Sequence, residues 1–425
     1  MAQPKGGRFP PQNHAKTALS RRGFLSGLVA GAALAPTGLR AESEAPATVR
    51  DFTPTLFDSF FLGGFECSTH RRGDGRRLDV IAATQHDTFA LQDYRQLREH
   101  DISAIRDGVR WHLVEQQPGQ YDWSSLLPML RAGEQAGAQI TWDLMHFGWP
   151  DHLDVFSGAF VDHFALYAGA FARLHLAETG RAPMLCPINE ISFLSHGGGE
   201  MGWINPGTTG RGAEMRRNLV RASIAAADAV RAAAPGATVM AIEPLVHIAA
   251  GPGQDPARIA ALNAEQHVAL DMLDGQLEPG LGGGENCFDV VGMNYYWNHQ
   301  WVHHGGRIGA DDPRYRPLAR LMQDYQERYE RPIFLSETGI EGPERPEWLN
   351  YIGRAMRDAV LAGVKLEGIC IYPIMSHPGW DDDRYCANGL LEMAPHDGTR
   401  RPVYQPLAEE LARQQALFEA IFAAS

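Results

Sequence analysis

Strand-like and helix-like segments alternate eight times along this chain, and that alternation is the strongest constraint on its fold. Short apolar runs read as buried strands, and longer amphipathic segments read as helices. The predicted strands span residues 60–65, 102–106, 139–146, 183–190, 238–243, 288–294, 332–337 and 366–372, and the predicted helices span 89–100, 126–136, 161–178, 213–234, 257–274, 315–330, 346–362 and 406–422. Eight such pairs in about 370 residues predict an α/β fold, a single (β/α)8 TIM barrel with extended βα loops.

Two of the predicted strands end in a glutamate. The run Pro183–Ile188 leads into Asn189 and Glu190, and the run Pro332–Ser336 leads into Glu337. A carboxylate at the mouth of a buried parallel strand is poorly solvated, and the C-terminal strand ends are where such a barrel carries out its chemistry. Two carboxyl groups from separate strands are the catalytic pair of glycoside hydrolysis. We therefore expect Glu190 and Glu337 to be the catalytic residues.

The first 41 residues have the pattern of an export signal. Arg21 and Arg22 precede the short apolar run 28–35, an order that resembles a twin-arginine signal peptide. The apolar run is too short to be a stable membrane anchor. We predict a signal peptide at residues 1–41 that is recognised by the twin-arginine export machinery. The mature domain is expected at 42–425, in the periplasm or secreted from a bacterial cell.

Charge and cysteine content narrow the range of partners and cofactors. Residues 1–41 carry six Lys or Arg and no Asp or Glu, so the remainder has 32 basic against 51 acidic side chains, a net charge of −19. Such a chain repels nucleic acid and anionic membrane surfaces, and it suits neutral substrates better than polyanionic ones. The five cysteines are scattered without a CxxC pair, which favours buried thiols. We expect no metal and no cofactor.

The long loops after the strands are rich in aromatic and polar residues. Their tryptophans are Trp149, Trp203, Trp297, Trp301 and Trp380. An indole covers the apolar face of a sugar ring while neighbouring polar side chains bind its hydroxyl groups. Some of these tryptophans are expected only to pack the loops. The pattern favours an oligosaccharide or glycoside as the substrate.

The two glutamate motifs resemble those of family 1 glycoside hydrolases, the β-glucosidase-type group of retaining (β/α)8 glycosidases. Asn189-Glu190 is similar to that family's acid/base motif after strand four, and Ser336-Glu337-Thr338 to its nucleophile motif after strand seven. The resemblance implies that Glu190 is the acid/base and Glu337 the nucleophile. It also implies that Asn189 binds the substrate, where its amide is suited to the 2-hydroxyl of the sugar.

Three further motifs extend the resemblance, which covers residues 60–380. Arg106 is similar to the strand-two arginine that contacts the nucleophile, and His146 matches the strand-three histidine that binds the sugar. Asn294 and Tyr296 are similar to a strand-six Asn-Tyr-Tyr whose second tyrosine faces the nucleophile. Each motif is common by chance, whereas all of them in order at barrel spacing are specific. The resemblance therefore implies substrate-binding roles for these four residues.

The sequence differs from the family's motifs at positions where that family binds its sugar. The first-strand segment 63–70 lacks the expected glutamine, and Pro378 and Gly379 precede Trp380 where a Glu-Trp pair is usual. Trp380 is still expected to contact the substrate. The acidic run 381–383 argues against a phosphorylated sugar because like charges would meet there. We expect a retaining O-glycosidase that acts on β-linked glycosides of neutral sugars.

Three other functions remain open from the sequence. A catalytically silent carbohydrate-binding barrel would explain the altered sugar-binding motifs, and a transglycosidase would use the same residues as a hydrolase. A metal-dependent hydrolase is suggested by His299, His303 and His304, but no His-x-His strand end completes such a site. Loss of turnover with retained binding in Glu337→Ala would separate an enzyme from a binder.

Overall fold

In the computed structural model, which describes residues 52–393 and 400–423, eight parallel strands close into one barrel. Numbered along the chain, they are β1 (Phe61–Gly64), β2 (Ala104–Gly108), β3 (Gln139–Met145), β4 (Met184–Ile188), β5 (Thr238–Pro244), β6 (Val290–Asn294), β7 (Ile333–Thr338) and β8 (Leu366–Ile371). Each strand pairs with the next along the chain, and β8 returns to pair with β1. The predicted (β/α)8 barrel is confirmed.

A helix follows every barrel strand. These helices are α1 (His86–Arg98), α2 (Leu127–Ala136), α3 (Gly158–Thr179), α4 (Gly212–Ala233), α5 (Pro256–Ala264), α6 (Leu318–Tyr329), α7 (Arg345–Leu361) and α8 (Gln405–Ala423). Short helical turns in the loops are Val80–Ala83, Trp111–Val114, Ile191–Leu194, Ser195–Glu200, Glu265–His267, Val268–Leu273 and Pro279–Leu281. Two short strand pairs join loops, His247–Ala249 with Gln300–Val302 and His377–Pro378 with Tyr385–Cys386. The helix predicted at 257–274 is divided by the 3-10 turn Glu265–His267.

Two sets of apolar side chains hold the barrel together. Successive residues of a strand point to opposite faces, so one set points inward and the other packs against the helices. The inward set includes Leu62, Ala104, Cys186, Met240, Val290, Phe334 and Cys370. Phe57 packs against Phe334 with ring centroids 5.1 Å apart. This apolar plug fills the middle of the barrel interior.

The cysteines agree with the expectation of buried thiols. The five cysteines are all buried and free. Within residues 52–393 and 400–423, no helix combines the length and apolar character needed to cross a membrane. The predicted signal peptide at 1–41 lies outside the described residues, so the boundary at residue 42 stays a prediction.

Candidate active site

Glu190 directly follows β4 at the barrel end where the strand C-termini gather. Its backbone N–H donates to the carbonyl of Ile242 over 3.0 Å, as if the strand continued. Its φ of 47° then lies in the left-handed region, which residues other than glycine seldom adopt. This turn starts the short helix Ile191–Leu194, and the Glu190 side chain stays buried. Strained backbone at a buried carboxylate is typical of functional positions.

Glu337 turns into the barrel because the register of β7 shifts by one residue. Phe334 points inward, so strict alternation would direct Glu337 toward the outer helices. Strands β6 and β7 run in step as far as Leu335, after which Asn294 lies opposite Glu337. Ser336 is therefore the extra residue of a β-bulge, which re-aims the side chain that follows it. The bulge explains how a glutamate at this position in the sequence reaches the interior.

Arg106 holds Glu337 from the end of β2. Its Nη1 donates to Glu337 Oε1 over 2.7 Å, and its Nη2 donates to Asn189 Oδ1 over 2.7 Å. Nε and Nη2 also donate to the two oxygens of Asp143, at 3.1 and 2.8 Å. The guanidinium is fully buried, and such forked pairing fixes carboxylates far better than an ammonium group. The predicted contact between Arg106 and the Glu337 carboxylate is therefore present.

Asn294 connects the two glutamate strands. Its Nδ2 donates to Glu190 Oε1 over 2.8 Å, and its Oδ1 accepts a 2.6 Å hydrogen bond from Ser336 Oγ. Asn294 thus links the Ser336 hydroxyl on one glutamate strand to the Glu190 carboxyl on the other. The structure thus brings Arg106, Asn189, Glu190, Asn294 and Glu337 into one hydrogen-bonded group.

The two glutamates differ in their surroundings. Burial and the neighbouring Glu337 raise the pKa of Glu190 well above its usual value, while its bond from Asn294 opposes this rise only in part. Burial also raises the pKa of Glu337, but Arg106 beside it and the hydroxyl of Tyr296, 2.8 Å from Oε2, both counteract that rise. When two coupled carboxyl groups share a proton, it resides mainly on the group without a cation. Glu190 is therefore the protonated partner and Glu337 the carboxylate.

His146 belongs to the same network through Asn189 and Asp143. Asn189 Oδ1 accepts from Arg106, so Nδ2 of the same amide faces His146 Nε2, 3.2 Å away. His146 Nδ1 lies 2.8 Å from Asp143 Oδ2. These contacts orient the imidazole ring, with Nδ1 toward the Asp143 carboxylate and Nε2 toward the Asn189 amide. His146 is thus at the site, and its binding of a sugar hydroxyl stays a prediction.

Trp380 lies on the wall of a cavity of about 780 Å³ that also includes Tyr296, the partner of Glu337. The indole ring centroid is 5.6 Å from that of Phe147, and Phe193 lies on the same wall. A cavity of this size, lined by aromatic side chains with polar groups at its edge, suits a sugar with its aglycone. Trp380 thus lines this cavity, and its contact with a substrate stays a prediction.

Two acidic residues of the site were not identified from the sequence. Asp143, on β3, is fully buried and holds both Arg106 and His146. Glu66, just after β1, is also buried; its Oε1 accepts hydrogen bonds from the backbone and hydroxyl of Ser68 and lies 4.0 Å from His146 Nε2. Burial raises the pKa of Glu66, but the nearby imidazoles of His146 and His377 and the hydrogen bonds from Ser68 lower it below its usual value. The sequence does mark both residues in one way, because each is an acidic residue inside or directly after an apolar strand.

Glu243 is a third buried glutamate at a strand end. Its carboxylate accepts from the backbone N–H of Ser192, at 3.1 and 3.3 Å, and so caps the helix that begins after Glu190. Burial raises the pKa of Glu243 to about 7. It supports the loop that carries Glu190.

The positive charge of Arg106 disfavours metal binding at this site. Cys67, Asp143 and His146 are close enough to surround an ion. Both oxygens of Asp143, however, are engaged by Arg106, whose positive charge repels a metal cation. Of the loop histidines that suggested a metal site, His299 places Nδ1 3.1 Å from the carbonyl of Leu245. This arrangement favours catalysis by the carboxyl pair.

Comparisons with known proteins identify relatives of the fold. The sequence matches no protein-family profile and no curated protein sequence. The structure is similar to that of a β-glucosidase from Thermotoga maritima in complex with deoxynojirimycin, at TM-score 0.69 and 14% identity over 86% of this chain and 99% of that one. It is also similar to the AHE enzyme from Alicyclobacillus herbarius, at TM-score 0.69 and 16% identity over 87% and 100% of the two chains. A family 1 β-glucosidase from Thermotoga maritima is similar as well, at TM-score 0.68 and 14% identity over 86% of this chain and 99% of that one. At such identities the likeness establishes a shared fold.

Proposed function

We propose that this chain is a glycoside hydrolase that cleaves β-linked O-glycosidic bonds of neutral sugars with retention of configuration. The observation that carries this proposal is the pair of buried glutamates, Glu190 and Glu337, in opposite electrostatic surroundings at the C-terminal end of a (β/α)8 barrel. Retaining glycosidases need one carboxylic acid and one carboxylate on either side of the scissile bond. The shared fold with β-glucosidases adds support without fixing the substrate.

In the first step, the carboxylate of Glu337 attacks the anomeric carbon while Glu190 donates its proton to the glycosidic oxygen. The bond to the leaving group breaks as the bond to Glu337 forms, and a covalent glycosyl-enzyme results. Arg106 and Tyr296 hold Glu337 in position before attack and keep it ionised. Asn294 holds the carboxyl of Glu190 through its Oε1.

In the second step, Glu190 acts as a base. Loss of its proton leaves a carboxylate that takes a proton from water, and the water oxygen attacks the anomeric carbon. Glu337 departs as a carboxylate, and Glu190 is protonated again. Two displacements at one carbon restore the original configuration, so the product has the same anomeric form as the substrate.

The proposed sugar site lies between the carboxyl pair and the aromatic wall of the cavity. Trp380 and Phe193 would cover the apolar face of the sugar or its aglycone. Asn189, His146 and Glu66 would offer amide, imidazole and carboxylate groups to hydroxyls. Since the family's glutamine and Glu-Trp pair are missing, recognition of the sugar depends on residues particular to this chain.

We also propose that residues 1–41 direct export of a mature domain beginning near residue 42. The arginine pair and the apolar run after it support this proposal. The matched test fuses residues 1–45 to a reporter and replaces Arg21 and Arg22 by lysine. Export of the wild-type fusion and retention of the lysine variant in the cytoplasm are expected, and equal export of both would contradict a twin-arginine signal.

A panel of aryl β-glycosides tests the enzymatic function itself. Wild-type protein should release the aryl group from at least one sugar of the panel, and Glu337→Ala should abolish release while still binding that sugar. Binding without turnover by the wild-type protein would favour the carbohydrate-binding alternative. Transfer of the sugar to an added alcohol in preference to water would favour a transglycosidase.

A further inference from the structure

Glu115, His152 and His163 form a cluster that the proposed hydrolysis does not use. Glu115 follows the short helix Trp111–Val114 after β2, His152 lies in the loop after β3, and His163 lies near the start of α3. One potential ligand atom from each residue lies within 4.8 Å of the other two. Three separate segments of the chain thus bring nitrogen and oxygen ligands to one point.

Glu115 is a buried carboxylate that needs a cation. Its side chain has no exposed surface, and the indole of Trp111 beside it stacks on Tyr167 at 5.1 Å. Within the described part of the chain, His152 and His163 are the basic side chains within ion-pairing distance of Glu115. An uncompensated carboxylate in such apolar surroundings is strongly unfavourable. A metal ion held by the two imidazoles would supply a positive charge beside it.

Hydrogen bonds orient the Glu115 carboxylate for binding. Trp111 Nε1 donates to Oε2 over 2.9 Å, and the backbone N–H of Gly119 donates to Oε1 over 2.9 Å. Such outer contacts fix metal ligands in many sites. Oε1 faces His163 Nδ1 at 2.6 Å and His152 Nε2 at 3.9 Å.

The distances from Glu115 Oε1 to the two imidazole nitrogens lie on either side of the ligand-to-ligand distance in a zinc site. Ligand atoms of a tetrahedral zinc site are roughly 3.3 Å apart, given metal–ligand bonds of about 2.0–2.1 Å. Movements of the two imidazoles on the order of 0.6 Å would bring each of these nitrogens to that distance from Glu115 Oε1. The side chains of His152 and His163 are 25% and 23% exposed, so an ion can enter from solvent.

We propose that Glu115 Oε1, His152 Nε2 and His163 Nδ1 bind one zinc ion, with water as the fourth ligand. Two imidazoles with one carboxylate suit zinc, whereas calcium and magnesium prefer oxygen ligands throughout. Neighbouring Asp151 is held by Arg71 Nε at 2.9 Å and does not complete the set. The ion would fasten the loops after β2 and β3 to α3, at the rim of the catalytic end of the barrel.

Zinc titration of the full-length protein tests this proposal. The protein is produced without a polyhistidine tag, freed of metal with a chelator, and titrated with zinc chloride in a calorimeter. His152→Ala and His163→Ala each remove one ligand from a partly exposed position. The matched control is His304→Ala, which removes an exposed histidine from another loop. We expect one zinc per chain in the wild-type protein and the control, and affinity reduced at least about tenfold in the two ligand variants.

Two further readouts keep the test independent of how well the variants fold. Zinc should raise the melting temperature of wild-type protein and of His304→Ala, but not of the ligand variants. Cobalt bound to wild-type protein should show the intense visible absorption of a four-coordinate ion. A wild-type protein that binds no stoichiometric zinc would overturn the proposal, as would equal loss of binding in the control and the ligand variants.

Discussion

The guanidinium of Arg106 and the carboxylate of Glu337 form a 2.7 Å ion pair whose side chains are only 1% and 6% exposed. The same guanidinium donates to Asn189, the residue before Glu190, and to Asp143. One buried cation therefore orients the proposed nucleophile and the strand end that carries the proposed acid. Buried pairs of this kind are costly to break because the partner left behind has no counter-charge.

Arg106→Lys should reduce kcat by about 10²-fold or more, because lysine keeps the charge but cannot hold three groups in a planar fork. It should also lower the free energy of unfolding, by up to about 3–5 kcal/mol, since Asp143 and Glu337 lose hydrogen bonds in a dry interior. Kinetics and urea unfolding measure the two effects. The matched control is Arg217→Lys, because Arg217 pairs with Glu278 at the surface and its side chain is 43% exposed. An equal loss in both variants would contradict the role of Arg106.

Glu190→Gln should slow the first step most for substrates whose leaving group must be protonated as it departs. Glycosides with poor leaving groups are expected to lose about 10²–10⁴-fold in kcat/KM, and those with activated phenols much less. The matched control is Glu367→Gln, since Glu367 is a buried glutamate at the opposite end of the barrel, where it accepts from the backbone N–H groups of Thr55 and Leu56. Sensitivity to the leaving group should be unchanged in that control. A uniform loss across leaving groups in Glu190→Gln would argue against its role as the acid.

The pH profile of kcat/KM should be bell-shaped, with each limb assigned to one glutamate. Activity falls as pH rises through the raised pKa of Glu190, because the acid loses its proton. It falls as pH drops through the pKa of Glu337, because the nucleophile becomes protonated. Tyr296→Phe removes a hydrogen bond to the Glu337 carboxylate, so the pKa of Glu337 rises and the acid limb should move to higher pH by about one unit. The basic limb should stay in place, and movement of that limb instead would reverse the assignment.

Glu66→Gln tests whether this buried carboxylate binds the substrate. If Glu66 accepts hydrogen bonds from sugar hydroxyls, the neutral amide should raise KM by about tenfold with a smaller change in kcat. The change also removes the negative charge near His146 while preserving shape. A variant with unchanged KM and reduced melting temperature would identify Glu66 as a structural residue.

The barrel and its two strand-end glutamates were predictable because both have strong local signals. Strands covered on both faces appear as uninterrupted apolar runs, which is why β4 and β7 were located within a few residues. A glutamate directly after such a run is conspicuous, and Glu190 and Glu337 were found in this way. Arg106, Asn189 and Asn294 were placed through resemblance, and the structure brings them into one network.

What the sequence did not reveal depends on contacts between distant residues. Strict alternation would point Glu337 outward, and the bulge at Ser336 is visible only in the pairing of β7 with β6. Asp143 lies inside an apolar run, so nothing nearby marks it as the partner of Arg106. Glu66 drew no attention because the first-strand segment was compared with a motif whose glutamine it lacks.

The anomeric form of the first product measures the central claim most directly. A β-glycoside cleaved by the wild-type protein is followed by proton NMR before the released sugar mutarotates. The proposed double displacement by Glu337 and water predicts that the β-anomer appears first and the α-anomer only later. Initial release of the α-anomer would mean a single displacement and would contradict the account.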